Sequence, residues 1–200
     1  MSLTEKTQRF IVRNVSLEDV LPSKMPVYVH SLAYLFGAIT LTAMLLLIIT
    51  GVVMTLFGPG WYHGSGTGHF FNSMHFWGTQ IFFMGLILHL ITKFFMAAWR
   101  DGRWKTWIVG VVSFAVFIPT ALSGFLSQTN FDSQWVGVQA KDALNAMGVG
   151  LFFNTLNTAQ MLTAHIGFLP FLAVILVVLH IFLVRRDGPV KPIDNVKKAK

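Results

Sequence analysis

Four stretches of this chain are apolar for long enough to cross a bilayer, and polar or charged segments separate them. A hydrocarbon core about 30 Å thick needs about 20 apolar residues in helical form. On that pattern we expect helices over residues 30–57, 71–98, 104–126 and 162–184. Gly58-Pro59-Gly60 is a turn signal closing the first, and Pro119 and Pro170 are expected to kink the third and fourth. Residues 145–156 are apolar but too short to span, and read as a helix or loop resting at the interface. Ahead of the first span, residues 4–20 set Phe10, Ile11, Val15 and Leu17 among Lys6, Arg9 and Arg13, the pattern of a short amphipathic helix on a membrane surface. Pro22 and Pro26 then break the chain. The fold class that follows is an all-α membrane protein: a four-helix transmembrane bundle (30–186) between an N-terminal amphipathic surface segment (1–29) and a basic tail (187–200).

Basic residues decide how the spans are threaded. Lys6, Arg9, Arg13 and Lys24 precede the first span, and Lys93, Arg100, Arg103 and Lys105 surround the link from the second to the third. Arg185, Arg186, Lys191, Lys197, Lys198 and Lys200 follow the fourth. The first link has none, and the long third link has only Lys141. By the positive-inside rule both termini and the second link face the cytoplasm or its organellar equivalent. Topology therefore accounts for the net charge of +7, which in a soluble protein would have suggested nucleic acid; no nucleic-acid partner is expected. The first twenty-odd residues lack the apolar core and cleavage site of a signal peptide, so insertion is expected to use the first span. With no cysteine in the chain, disulfides, cysteine-ligated iron–sulfur clusters and thioether-bound haem are excluded.

The second span holds His75 and His89, the fourth His165 and His180. Intervals of fourteen and fifteen residues place the members of a pair about 21–23 Å apart at about 1.5 Å per residue, on nearly one side of the helix. Both spans run from outside to inside. His75 and His165 thus share an outer depth, and His89 and His180 an inner one. A single intramembrane histidine can serve simply as a hydrogen-bonding group between helices. Two pairs in register are an arrangement for two flat cofactors with bis-imidazole ligation, for which haem is the natural candidate; a zinc site would need ligands converging on one point. His30, at the entrance of the first span, receives no role. His63 and His69, in the glycine-rich link WYHGSGTGH, read as part of a solvated loop.

Glycine repeats the spacing on the other two spans. Gly37 and Gly51, like Gly110 and Gly124, are fourteen apart, and the antiparallel threading puts Gly37 and Gly110 at the inner depth and Gly51 and Gly124 at the outer. Without Cβ they allow a porphyrin edge to approach the backbone, or alternatively simple close packing of helices. Phe76, Trp77, Phe82, Phe83, Phe168 and Phe171 would exclude water from such a site, or face lipid.

From about residue 16 to residue 192 these features resemble the haem-bearing N-terminal half of cytochrome b, most closely the short four-helix cytochrome b6 type of bc/b6f-type quinol oxidoreductase complexes. GAITLTAMLLLIITGVVMTLF is similar to that family's first helix, and His165 to His180 with Pro170 between them, followed by IFLVRRDG, to its fourth. The fifteen-residue interval is the short form's. The resemblance implies two non-covalent, bis-histidine haems b, of low and high potential, conducting electrons between an outer quinol-oxidising site and an inner quinone-reducing site. It implies a separate subunit for the C-terminal half of cytochrome b, which carries the acidic quinol-site loop, together with a Rieske-type iron–sulfur protein, a c-type cytochrome, lipid and a homodimeric complex. The location implied is a bacterial plasma membrane or an equivalent energy-converting membrane.

The chain departs from the family pattern in several places. Leu35 stands where a cysteine often attaches a third haem, so a third haem here would lack a thioether. Asn72, Thr92 and Gln160 stand at positions of arginines that meet haem propionates; Lys93 is expected to substitute at the inner side, and Arg185 matches a basic residue facing the inner cavity. A proline–tryptophan turn that shapes the outer quinol site is replaced at 127–130 by SQTN. Two other readings stay open. One is a di-haem anchor passing quinol electrons to an outer-face oxidoreductase without bifurcation. The other is a proton or metal transport path, against which the unbroken second and fourth spans argue.

Overall fold

The computed structural model describes residues 2–14, 24 and 27–191. Val15, Leu17, the two prolines at 22 and 26, and most of the basic tail, with Lys197, Lys198 and Lys200, lie outside the described residues. Helix α1 is Leu3–Asn14. A 3-10 turn, Val27–His30, leads into α2, Leu32–Phe57. There follow α3, Pro59–Gly64; α4, Gly66–Phe95; α5, Trp104–Leu126; and α6, Phe131–Ala146. Helix α7, Thr158–Asp187, completes the chain, and α2, α4, α5 and α7 are each long and apolar enough to cross a membrane.

The link expected to be a solvated loop is instead helical. Gly58, at φ 78°, ends α2 in a conformation that L side chains rarely adopt, and Pro59 opens α3 with its ring already at a helical φ. Ser65 then caps α4, its Oγ accepting from Gly68 N at 2.9 Å. A Cβ on Gly68 would run into the Trp61 carbonyl, so this glycine serves close packing of α3 on α4. His63 and His69 are exposed on these helices. Helix α6 was not apparent in the pattern; Asn130 caps it, accepting from Ser133 N at 2.8 Å. The interfacial stretch after it is a series of turns tied down where Thr155 Oγ1 donates to the Gly137 carbonyl at 2.7 Å.

The four long helices pack as two pairs, α2 along α4 and α5 along α7. Gly78 and Gly85 let α4 close on Leu46, Leu47 and Thr40 of α2. The pairs meet at mid-depth in a cluster of Ala43, Phe82, Phe117 and Ala173, one residue from each long helix. Phe82 is 3% exposed, and its ring sits edge-on to Phe117 at 4.8 Å. Most other large apolar side chains of these helices face outward, as lipid-facing surfaces require.

At the inner end, polar contacts bind the chain leaving α7 to the turn between α4 and α5. Arg103 donates to the carbonyls of Asp187 and Pro189 at 2.7 Å each and to that of Gly188. Arg100 donates to the Lys191 carbonyl at 3.0 Å, and Val190 N donates to the Tyr34 hydroxyl at 2.9 Å. The first residues of the expected tail are therefore part of the folded body.

Candidate cofactor site

The histidine-bearing helices α4 and α7 belong to different pairs and share no extensive contact, which leaves a slot between them. Along α7 the histidines are fifteen residues apart, and at 100° per residue that overruns four full turns by about 60°. The helix corrects this locally. Residues Ala164–Phe168 form a π turn, which accommodates one extra residue, so His165 and His180 align as a fourteen-residue pair would. Pro170 supplies a physical reason: it has no N–H for the Ile166 carbonyl four residues back, and its ring crowds that position.

At the outer level the His75 and His165 ring centroids are 6.0 Å apart, with the rings nearly perpendicular. His75 Nδ1 lies 2.9 Å from the Thr50 hydroxyl, and His165 Nδ1 lies 2.8 Å from the Thr120 carbonyl. With Nδ1 engaged in each ring, Nε2 is the free nitrogen. Gly51 and Gly124 lie beneath these imidazoles; a Cβ on Gly124 would stand 2.8 Å from His165 Nδ1 and Nε2, inside contact distance. Both histidines line a cavity of about 370 Å³, walled by Phe76, Phe83, Leu122 and Phe125 and reached by Tyr62 from α3. Burial pushes the Tyr62 phenol up, which keeps it neutral.

At the inner level His89 and His180 are close enough to interact electrostatically, and each ring lies against a glycine: His89 Cε1 would be 3.1 Å from a Cβ on Gly37, and His180 Cε1 2.9 Å from one on Gly110. Their Nδ1 atoms are buried and make no hydrogen bond of good geometry, although the Thr106 carbonyl lies beside the His180 ring. Lys93 lies one turn below His89, its ammonium 3.4 Å from the Tyr34 ring centroid. Arg185 is exposed at the same end of the bundle.

The residues that depart from the family pattern are occupied with one another or with backbone. Asn72 and Gln128 exchange hydrogen bonds of 3.2 and 3.1 Å, joining α4 to the end of α5 at the rim of the outer cavity. Thr92 bonds back to the Leu88 carbonyl, and Gln160 spans Asn154 N and the Phe152 carbonyl. Leu35 faces outward, 48% exposed. Asn72→Leu should cost about 1 kcal/mol, because it leaves the Gln128 amide unpartnered, whereas Asn72→Leu with Gln128→Leu should cost less than the single change. Thermal unfolding of the two variants in detergent tests this; equal destabilisation would show that the pair contributes nothing.

At the outer level the residues present fit a planar, bis-imidazole-ligated group; at the inner level His89 and His180 offer the same donor set, each against a glycine. Two imidazole–metal bonds of about 2 Å each leave ring centroids about 6 Å apart, the spacing observed at the outer level. Among the described residues no three histidine, cysteine or carboxylate side chains converge on one point. Sequence reasoning missed Thr50, the π turn, Tyr62 and the Asn72–Gln128 pair. Of these only Thr50 left a signal, a polar residue beside Gly51 in an otherwise apolar span.

Residues 80–200 match the family model for cytochrome b (N-terminal)/b6/petB. The chain is 23% identical over 199 residues to the cytochrome b subunit of menaquinol:cytochrome c reductase from Geobacillus thermodenitrificans, covering 85% of this chain and 89% of that one. It is 22% identical over 193 residues to cytochrome b6 of Heliomicrobium gestii, covering 86% and 91%. Its fold superposes on a chain of a hyperthermophilic respiratory Complex III with a TM-score of 0.74 at 21% identity, over 96% of this chain and 58% of that one.

Proposed function

This chain belongs to the cytochrome b N-terminal/b6/petB family, and from that premise we propose that it is the di-haem, electron-conducting b subunit of a bc- or b6f-type quinol oxidoreductase complex. One observation carries the reading: His75 and His165 face each other at 6.0 Å, and a second pair on the same two helices, His89 and His180, lies on the other side of one buried aromatic contact, each ring against a glycine. Each couple would hold one haem b, and the chemistry such a group would supply between two neutral imidazoles is one-electron exchange.

The chain's own residues do the rest. Gly37, Gly51, Gly110 and Gly124 admit the imidazoles against the backbone, which fixes ring position without side-chain bulk. Thr50 and the Thr120 carbonyl hold Nδ1 of the outer rings and so select Nε2 for ligation. Phe82 and Phe117 fill the mid-depth space between the levels and keep water out of it. Lys93 and Arg185 supply positive charge at the inner end, suited to haem carboxylates or a quinone there. Relatives named as menaquinol:cytochrome c reductase b subunits and as cytochromes b6 support quinol as electron donor. They also support membership of a larger complex, for which the partners we propose are those the family pattern implies: a C-terminal-half subunit, a Rieske-type protein and a c-type cytochrome.

The test is a dithionite-reduced minus oxidised spectrum of the purified protein with haem quantified per chain. A b-type α-band at two haems per chain is the expected result. A folded, haem-free protein would overturn the proposal and favour the transport reading. The replaced turn at 127–130, tied across to Asn72, favours a second reading in which quinol electrons pass without bifurcation. Reduction of the haems induced by adding an oxidant to the intact quinol-bound complex marks bifurcation, and its absence supports the second reading.

A further inference from the structure

The two levels of the slot treat their imidazoles differently. Thr50 is 1% exposed, and its hydroxyl has three partners: it points its proton at the Leu46 carbonyl at 2.8 Å, with the Leu47 carbonyl at 3.2 Å, and lies 2.9 Å from His75 Nδ1. With its single proton committed to the carbonyl, the oxygen is left to accept from Nδ1–H. His165 Nδ1 donates to the Thr120 carbonyl. At the inner level His89 Nδ1 has no partner, and His180 has only the Thr106 carbonyl beside it, without a hydrogen bond of good geometry. The asymmetry has a chemical consequence. An acceptor on Nδ1–H draws the proton outward and makes Nε2 the more basic, stronger donor to a metal. A more basic donor favours the oxidised, more positively charged iron, and so lowers its reduction potential.

We propose that Thr50 is a positioning residue that lowers the reduction potential of the outer site, by accepting the Nδ1 proton of His75 in a relay ending on the Leu46 carbonyl. This rests on the di-haem reading above and deepens it. Neighbouring bonds in such a relay polarise one another, and burial in an apolar span strengthens each. The Leu47 carbonyl also lies by the His75 ring, but as part of the α2 backbone it is fixed in place, whereas the threonine oxygen is within bonding distance of Nδ1.

Redox titration of purified wild-type protein against Thr50→Val and Thr50→Ser, followed by low-temperature EPR of the oxidised forms, provides the test. Valine keeps the shape and removes the oxygen; serine restores it. Wild type should titrate in two steps. Thr50→Val should move one step upward with the other fixed, and should shift one of the two low-spin signals. A tenfold change in relative affinity for the oxidised iron reads as about 59 mV. Thr50→Ser should return both readings to wild type. Loss of one haem in Thr50→Val with both retained in Thr50→Ser also supports the role, since the oxygen is then what holds the ring. Unchanged potentials in Thr50→Val, equal movement of both steps, or displacement in Thr50→Ser as large as in Thr50→Val would overturn it. A wild type without haem would instead sink the di-haem reading itself, so the two failures are distinct.

Discussion

His165→Leu is expected to remove the outer haem and spare the inner one, taking the purified protein from two haems per chain to one and deleting one redox step. The outer imidazole couple loses a ligand outright, whereas the Thr120 carbonyl keeps the Ser123 hydroxyl as a donor at 2.9 Å and so is not left unsatisfied. The inner couple is insulated from this change. His89 and His180 lie beyond the Phe82–Phe117 contact, and their glycines, Gly37 and Gly110, are on turns of α2 and α5 that do not touch His165. Pyridine haemochrome quantification with redox titration reads the result. Equal loss of both haems from a folded variant would count against the proposed pairing.

The second large effect is expected at Gly124. Its missing side chain is space that the His165 ring uses, with Nδ1 and Nε2 each 2.8 Å from where a Cβ would be. The ring cannot retreat without breaking its bond to the Thr120 carbonyl one turn earlier on the same helix. Gly124→Val therefore forces either the ring or helix α5 to move, and overpacking of this kind costs about 1–3 kcal/mol. Haem occupancy at the outer level should fall by about tenfold while the inner level stays filled. Gly60→Ala is the control, because nothing lies within 4 Å of the added carbon. Full occupancy in Gly124→Val, measured as haem per chain, would mean that the glycine is merely tolerated.

Much of this architecture can be read from the residues. An apolar run of sufficient length in a bilayer has to be helical, since no water is present to satisfy its backbone. The spans at residues 104–126 and 32–57 therefore come within two residues of their expected limits. Spans that cross in alternation make the second and fourth parallel, and that alone puts His75 beside His165 rather than beside His180. What failed was the reading of glycine-rich and polar stretches as loops. WYHGSGTGH folds as helix because Gly68 lets α3 lie against α4, and composition does not report which neighbour a glycine admits.

The length of the apolar runs determined which four helices exist, and their alternation determined which histidines fall at one level; these depend only on local hydrogen bonding and on burial in lipid. The tertiary structure decided the rest. The π turn brings a fifteen-residue interval into register, Asn72 finds Gln128 across two helices, and Thr50 rather than a neighbouring polar group reaches His75. Each of these depends on distances between segments far apart in the chain, fixed by how side chains of different helices pack, and no pattern along a single helix encodes them.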